Sequence, residues 1–193
     1  MRRILFISFV FIFLPLIFLL EILVDPNDFS VKTVETDFSF KNFFKLIRIY
    51  DFSNEMGVFG RGWKWNLDSY VKKPFENFLE IKIGDNLYKF LKISGLYKCL
   101  KDKDITALET GKGFLMVFPD GFSYFFDRAG RIRNITYQES SLTIQYENDK
   151  VIKIEDEQGN ALSIFYNSDG FIEQIICPDG TRLIYEYENG LLT

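Results

Sequence analysis

The sequence of 193 residues is 47% hydrophobic and 26% charged, with a formal net charge of −4. The hydrophobic fraction is too high for an intrinsically disordered chain, and the negative charge argues against general nucleic-acid binding, which usually needs a strongly basic surface. With no histidine and only two cysteines, the sequence excludes histidine-dependent catalytic triads and dyads, histidine-based metal sites and a four-cysteine zinc site.

An uncharged apolar segment, residues 4–20, directly follows Arg2 and Arg3 at the start of the chain. A basic start followed by an apolar run is typical of segments that the secretion machinery recognises. As a helix, residues 4–24 would be about 31 Å long, close to the ~30 Å thickness of a bilayer core. We therefore expect residues 1–24 to form a transmembrane or signal helix, either an uncleaved signal anchor or a cleaved signal peptide. Either one makes the membrane a partner and predicts a membrane-anchored or secreted protein that faces outside the cytoplasm.

Strand and turn signals alternate in the second half of the chain, and helical periodicity is hard to find after Asp25. The short apolar runs are Leu115–Val117, Ser123–Phe125, Leu142–Tyr146, Val151–Ile154, Leu162–Tyr166, Ile172–Ile176 and Leu183–Tyr187. Turn sequences rich in Pro, Asp, Asn and Gly lie between or after them, at 119–121, 127–130, 147–150, 158–160, 167–170, 178–180 and 188–190. Regular short strands separated by such turns are typical of an antiparallel all-β meander.

The same part of the chain contains an internal repeat. Phe126, Tyr146, Tyr166 and Tyr187 lie 20, 20 and 21 residues apart, and an acidic or amide residue follows each of them. Self-similarity at a fixed period indicates stacked units, none of which buries its apolar face alone. The predicted fold class is therefore all-β, with antiparallel β-hairpin repeats forming a continuous twisted sheet. We also expect the aromatic ring at each strand end to stack on the ring of the next repeat.

Two sets of motifs relate the chain to known proteins. The repeat stretches are YFFDRAGRI (124–132), IQYENDKVIKIED (144–156), IFYNSDGFIEQIICPDG (164–180) and IYEYENGLLT (184–193). Upstream lies IRIYDFSNEMGVFGRGWKWNLDSYV (47–71), which contains Gly-x-Phe-Gly-x-Gly-Trp. The chain resembles the Rhs or YD-repeat family, whose N-terminal boundary segment is similar to this second stretch. The resemblance implies a β-sheet ribbon that spirals into a hollow shell, in bacterial surface proteins, secreted proteins or toxin carriers.

Three regions follow from these patterns and from the resemblance. Residues 1–24 are the signal peptide or anchor, residues 25–118 an N-terminal β region with the Rhs-like boundary segment, and residues 119–193 the YD-type hairpin repeats. The expected function is that of a non-catalytic exported scaffold, a piece of a cell-surface or shell-forming protein whose partners are further repeats of the same protein. Two alternatives stay open: a carbohydrate-binding surface module, and the truncated carrier part of a polymorphic toxin.

Aromatic side chains are the candidate binding residues. The possible ligand-stacking positions are Phe59, Trp63, Trp65, Tyr146, Tyr166 and Tyr187. Such rings stack well on sugars, so the partner they imply is cell-surface carbohydrate; packing within the sheet is the alternative role for each of them. We identify no catalytic, cofactor-binding or metal-binding residue, and we therefore expect neither an enzyme nor a cofactor.

Two further expectations concern the cysteines and the last strand. Nothing in the sequence brings Cys99 and Cys177 together, so two separate thiols are favoured over a disulfide. The run Leu183–Tyr187 has no following partner strand, which predicts a frayed final repeat or edge-to-edge association.

Overall fold

The computed structural model describes residues 6–9, 20–24, 31–40 and 43–193, and it describes side chains for residues 32–40 and 43–193. These residues form strands and turns without a helix. No helix that is apolar and long enough to cross a membrane occurs in these ranges. Of the segment expected to be a signal or anchor helix, only Phe6–Phe9 and Leu20–Val24 are described, both as strands. Its other residues lie outside the described ranges, and the targeting role stays a prediction.

The described residues contain 22 strands. In chain order they are β1 (Phe6–Phe9), β2 (Leu20–Val24), β3 (Val31–Phe40), β4 (Phe44–Tyr50), β5 (Met56–Gly57), β6 (Gly60–Arg61), β7 (Trp63–Trp65), β8 (Ser69–Phe75), β9 (Phe78–Ile83), β10 (Asn86–Ile93), β11 (Leu96–Cys99), β12 (Thr106–Thr110), β13 (Gly113–Val117), β14 (Phe122–Asp127), β15 (Ile132–Tyr137), β16 (Ser140–Glu147), β17 (Lys150–Asp156), β18 (Ala161–Tyr166), β19 (Ile172–Ile176), β20 (Arg182–Ile184), β21 (Tyr187–Glu188) and β22 (Leu191–Leu192).

Most strands belong to one large antiparallel sheet, which confirms the all-β class. Thirteen strands, β8 to β20, follow one another in sequence order within it. A second sheet has the order β1-β2-β3-β4-β7, and two small hairpins pair β5 with β6 and β21 with β22. Because every strand of the large sheet neighbours the next one along the chain, its pairing is local throughout.

The apolar runs found in the sequence all fall within strands, with one difference at the last. Leu183–Tyr187 was expected as one strand, but β20 ends at Ile184 and β21 begins at Tyr187. The side chain of Tyr185 is buried, and its amide donates a hydrogen bond to the Glu173 carbonyl (3.0 Å). The interruption therefore places an aromatic ring in the core.

One turn geometry recurs five times, and three of the five turns have the sequence pattern Asp/Asn-x-x-Gly. The amide of its first residue donates to the carbonyl four residues later (2.8–3.0 Å), and the glycine amide donates back to the first carbonyl (2.9–3.1 Å). The glycine has φ between 83° and 92°, a region that favours glycine because it has no Cβ. These turns begin at Phe118, Asp127, Asp156, Asn167 and Cys177.

A second turn geometry fills two other repeat positions. Asn148 and Asp149 both have positive φ, as do Asn189 and Gly190. Two consecutive residues with positive φ are the signature of the type I′ hairpin, which matches the twist of the flanking strands. The turns at 127–130 and 167–170 therefore differ in type from those at 147–150 and 188–190, although all four lie about one sequence period apart. Antiparallel strand pairing continues through both types of turn.

The chain divides into two compact units, each described here by itself. Unit 1 comprises residues 1–66, 166–174 and 183–193, and unit 2 comprises residues 67–165 and 175–182. In unit 2 the sheet is strongly curled: Ser69 of β8 donates its hydroxyl to the carbonyl of Gly130, in the turn after β14 (3.2 Å). Six strand spacings of about 4.8 Å would separate these positions by about 29 Å in a flat sheet. The concave face of this curl holds the core of unit 2.

The core of unit 2 is built by alternation along its strands, most regularly in β9. In β9, Leu79, Ile81 and Ile83 are buried, whereas the intervening residues are partly exposed. Phe90, Tyr97 and Phe126 are the largest fully buried side chains of this unit. Successive strand residues point to opposite faces, so one face packs and the other meets solvent.

Candidate functional site

The Gly57–Trp63 segment, the most distinctive motif of the sequence, forms a compact bend in unit 1. A Cβ on Gly57 would lie 1.9 Å from the Trp63 carbonyl oxygen, and one on Gly60 would lie 2.7 Å from the Gly190 carbonyl oxygen. Gly60 also has φ +88°. Glycine is therefore required here for close backbone approach as well as for conformation.

The bend is fixed by hydrogen bonds to distant parts of unit 1. Arg61 donates its amide to the Gly190 carbonyl (2.9 Å), and Ile172 donates its amide to the Val58 carbonyl (2.7 Å). The β21–β22 hairpin thereby contacts the β5–β6 hairpin. Residues 187–192 thus form a hairpin with contacts of their own in unit 1, and the expected fraying or edge-to-edge association stays a prediction.

Arg48, in the middle of β4, is the charged centre of this region. Its Nε donates to both carboxylate oxygens of Asp37 (2.9 and 2.8 Å), and its Nη2 donates to Glu35 (2.6 Å). Arg48 is only 7% exposed. A buried guanidinium of this kind needs such paired and hydrogen-bonded partners, because removing its charge from water is otherwise very costly.

Three aromatic rings complete the surroundings of Arg48. Its Cζ lies 5.4 Å from the ring centre of Phe59, 4.9 Å from that of Trp63 and 5.1 Å from that of Tyr185. These are cation–π distances. We call Glu35, Asp37, Arg48, Phe59, Trp63 and Tyr185 the Arg48 cluster.

Burial sets the ionisation of the Arg48 cluster. It raises the pKa of Asp37, although the Arg48 guanidinium opposes the shift. It also raises the pKa of Tyr185, an effect that the nearby Asp37 charge increases. The Tyr185 hydroxyl is buried without a hydrogen bond of good geometry. The phenol therefore stays neutral, and the cluster has the character of a packed ionic core.

The structure brings three of the six candidate stacking residues together. Phe59 and Trp65 are buried and pack edge to face at 5.8 Å, and Trp63 lies half-buried against Tyr50 at 5.2 Å. A sugar would reach Phe59 or Trp65 only if the cluster opened. Part of Trp63 remains accessible.

Tyr187 and Tyr166 also belong to unit 1. The Tyr187 hydroxyl donates to the Ile172 carbonyl (2.6 Å), and its ring packs on Phe171 at 5.1 Å. Tyr166, at the end of β18, is half-buried. Tyr187 is thus held at both its polar end and its apolar face.

Tyr146 is part of unit 2 and belongs to a second cluster of side chains. The guanidinium groups of Arg131 and Arg133 lie 5.4 and 5.0 Å from its ring centre. Both arginines donate through Nε to the same oxygen of Asp127 (2.9 and 2.8 Å). Burial raises the pKa of Tyr146. Burial alone would raise the pKa of Asp127, but hydrogen bonds from Arg131 and Arg133 outweigh it and lower that pKa.

At three of the four positions of the expected aromatic ladder, Phe126, Tyr146 and Tyr187, the structure shows other contacts. Phe126 stacks on Tyr124 of its own strand (6.4 Å, 24°). Tyr146 meets arginines, and Tyr187 meets Phe171. The repeat therefore places aromatic residues regularly, but their partners are set by what lies opposite each position.

Sequence reasoning did not identify Arg48, Glu35 or Asp37 as site residues. Glu35 and Asp37 are two residues apart, so alternation would place them on one face of a strand. The neighbouring positions of that face, Thr33 and Ser39, are polar, and the register of β3 shifts between Thr36 and Phe38. The spacing therefore does not predict a buried ion pair, and nothing in the sequence points to Arg48 as its cation.

The remaining polar chemistry is sparse. Among the side chains of residues 32–40 and 43–193, no group of three His, Cys, Asp or Glu has a metal-binding arrangement. Cys99 and Cys177 are buried and are not joined in a disulfide. In comparisons with known proteins, no family model matches this chain and no curated protein matches it.

Proposed function

We propose that the chain is a non-catalytic, exported scaffold of Rhs or YD-repeat type, a piece of a cell-surface or shell-forming protein. The observation that carries the proposal is the turn geometry that recurs five times between strands that pair with their sequence neighbours. A sheet built in this way grows by adding hairpins, each of which contacts mainly the previous one. That property suits a scaffold more than a catalytic centre.

The Gly57–Trp63 segment supports the same proposal. Its glycines permit close backbone contact, and its aromatic residues pack around Arg48. Residues used in this way stabilise the scaffold. A ligand platform would instead present its rings to solvent.

A glycan-array experiment tests the scaffold against the carbohydrate-binding alternative. We expect the full chain to retain no glycan, and Trp63→Ala to lower the unfolding temperature. Phe75→Ala is the control, because Phe75 is an aromatic residue of unit 2 that is 70% exposed, and its loss is expected to change neither readout. If the full chain binds a glycan and Trp63→Ala loses this binding while keeping the wild-type melting temperature, the scaffold proposal is wrong and the chain is a carbohydrate-binding module.

Protease protection tests the export part of the proposal separately. A C-terminal tag on the full chain is expected to be cleaved by protease added to intact spheroplasts. A cytoplasmic protein carrying the same tag is the control and must survive. A tag that is cleaved only after lysis would contradict export. The scaffold role would then still be tested by the glycan-array experiment.

A further inference from the structure

Unit 2 contains an open groove of about 250 Å³ at one end of its curled sheet. Val71 and Lys73 of β8 form one wall, Glu109 and Phe114 of the β12–β13 hairpin form the other, and Arg128 lies at the rim. Lys73 Nζ and Glu109 Oε2 meet across it at 2.9 Å. The open ends of curled sheets are places where small ligands commonly bind.

The charged groups of the groove favour an anion. The lining residues carry two positive charges, Lys73 and Arg128, and one negative charge, Glu109. Glu109 and Glu76 both pair with Lys73, and Glu76 also pairs with Lys92. Arg128 forms no ion pair with any residue whose side chain is described, so its charge is the one left unbalanced. The positive charge that is left over lies at the rim, on an exposed side chain.

Arg128 is also held in an orientation that suits a carboxylate. Its Nε and Nη2 donate to the Gly111 carbonyl oxygen (3.2 and 2.8 Å). One Nη2 proton and both Nη1 protons remain, and the Nη2 proton forms the terminal edge of the guanidinium together with one of the Nη1 protons. That edge binds a planar carboxylate through two parallel hydrogen bonds.

We propose that this groove binds a small monocarboxylate with a ring-shaped or flat body. The carboxylate pairs with the terminal edge of Arg128, and the body lies on Phe114 and Val71. Lys73 keeps one ammonium proton for a further acceptor on the ligand, because two are engaged by Glu109 and Glu76. None of the six candidate stacking residues lines the groove, and the proposal does not depend on the scaffold function.

The proposal is tested by nuclear magnetic resonance titration of the full chain with two carboxylates. Each carboxylate is compared with an uncharged molecule of similar size, here called its neutral twin. Benzoate is compared with benzyl alcohol, and glucuronate with glucose. We expect Kd values of about 1–10 mM for the acids, as for ligands of this size, and at least about tenfold weaker binding of the neutral twins. Amide shifts are expected at residues 109–114 and 128.

Four variants separate the arginine fork from general charge. Arg128→Gln is expected to weaken benzoate binding about tenfold, and Arg128→Lys about threefold, because lysine keeps the charge and loses the fork. Glu109→Gln should strengthen binding about twofold or more by removing a repelling charge. Arg182→Gln, at another exposed arginine of unit 2, is the control and should change nothing.

Several results would overturn the proposal. One is that the neutral twins, or inorganic phosphate, bind as tightly as the carboxylates or more tightly. Another is that Arg128→Gln keeps the wild-type affinity for benzoate with an unchanged amide spectrum. A third is that no amide shifts occur at 50 mM probe, which is about fivefold above the weakest expected Kd.

Discussion

Asp127 closes a repeat turn and also binds two arginines, and substitutions there separate these roles. Its Oδ1 accepts hydrogen bonds from the amides of Ala129 (2.9 Å) and Arg131 (3.1 Å), and its Oδ2 accepts from the Arg131 and Arg133 side chains. At the equivalent turn, Asn167 accepts the same two amide bonds with its amide oxygen (3.1 and 3.0 Å). Asp127→Asn therefore keeps the turn and removes the charge, whereas Asp127→Ala removes both.

The expected losses follow from these contacts. A side chain that caps backbone amides contributes about 1 kcal/mol, and up to about 2. Each partly exposed ion pair adds about 0.2–1 kcal/mol. We expect Asp127→Ala to lower the free energy of unfolding by about 2–3 kcal/mol and Asp127→Asn by about 1 kcal/mol. In a chain of this size the larger loss lowers the melting temperature by about 4–12 °C.

Urea denaturation at several pH values is the assay. Because the arginines lower the pKa of Asp127 in the folded state, its charge stabilises the fold above the unfolded pKa of about 3.9. That stabilisation is lost as pH falls through the still lower folded pKa. The difference in unfolding free energy between wild type and Asp127→Asn is therefore expected to be constant near neutral pH and to shrink below about pH 4.

The control is Asp169→Ala, which removes an exposed carboxylate from the turn that Asn167 caps and is expected to cost under about 0.5 kcal/mol. Equal destabilisation by Asp127→Asn and Asp127→Ala would refute the capping role. A wild-type advantage over Asn that persists at pH 2 would refute the electrostatic role.

Three other substitutions test the packing of unit 1. Arg48→Met leaves Asp37 buried without its cation and is expected to cost about 3–5 kcal/mol in chemical denaturation; a cost below about 1 kcal/mol would show that the Arg48 cluster is not a structural core. Gly60→Ala is expected to lower the free energy of unfolding by at least about 2 kcal/mol more than Gly95→Ala does. Both glycines have φ near +87°, but only at Gly60 would a Cβ lie against a backbone oxygen. Equal melting temperatures of the two variants would contradict the close approach at Gly60. Tyr166→Ala is expected to cost about 1–2 kcal/mol, less than a fully buried aromatic side chain, because Tyr166 is half-buried; a loss above 3 kcal/mol would mean that its ring is more buried than described.

The turns and the strands between them were predictable because their causes are local. Asp127 and Gly130 act within one turn, so the pattern Asp-x-x-Gly carries both the hydrogen-bond acceptor and the positive-φ residue. Alternation places Leu142 and Ile144 of β16 on the buried face in the same direct way. These features need no knowledge of distant residues.

The Arg48 cluster was not predictable in the same way, because its members come from distant parts of the sequence. Glu35 and Asp37 lie on β3, Arg48 on β4 and Tyr185 near the end of the chain. No periodicity links them, and only the fold brings them together. The partners of Tyr146 also depend on side chains that face it after folding, which is why a stacked aromatic ring was expected where two arginines are found.

The Gly57–Trp63 segment and residues 183–193 hold the strands of unit 1 together through backbone hydrogen bonds. Native-state hydrogen exchange of the full chain tests this most directly through the amides of Arg61, Ile172 and Tyr185, which donate to the carbonyls of Gly190, Val58 and Glu173. We predict protection within about tenfold of the slowest amides in β16 and β17. Exchange of these three amides at the rate of an unprotected chain, with β16 and β17 still protected, would contradict the claim.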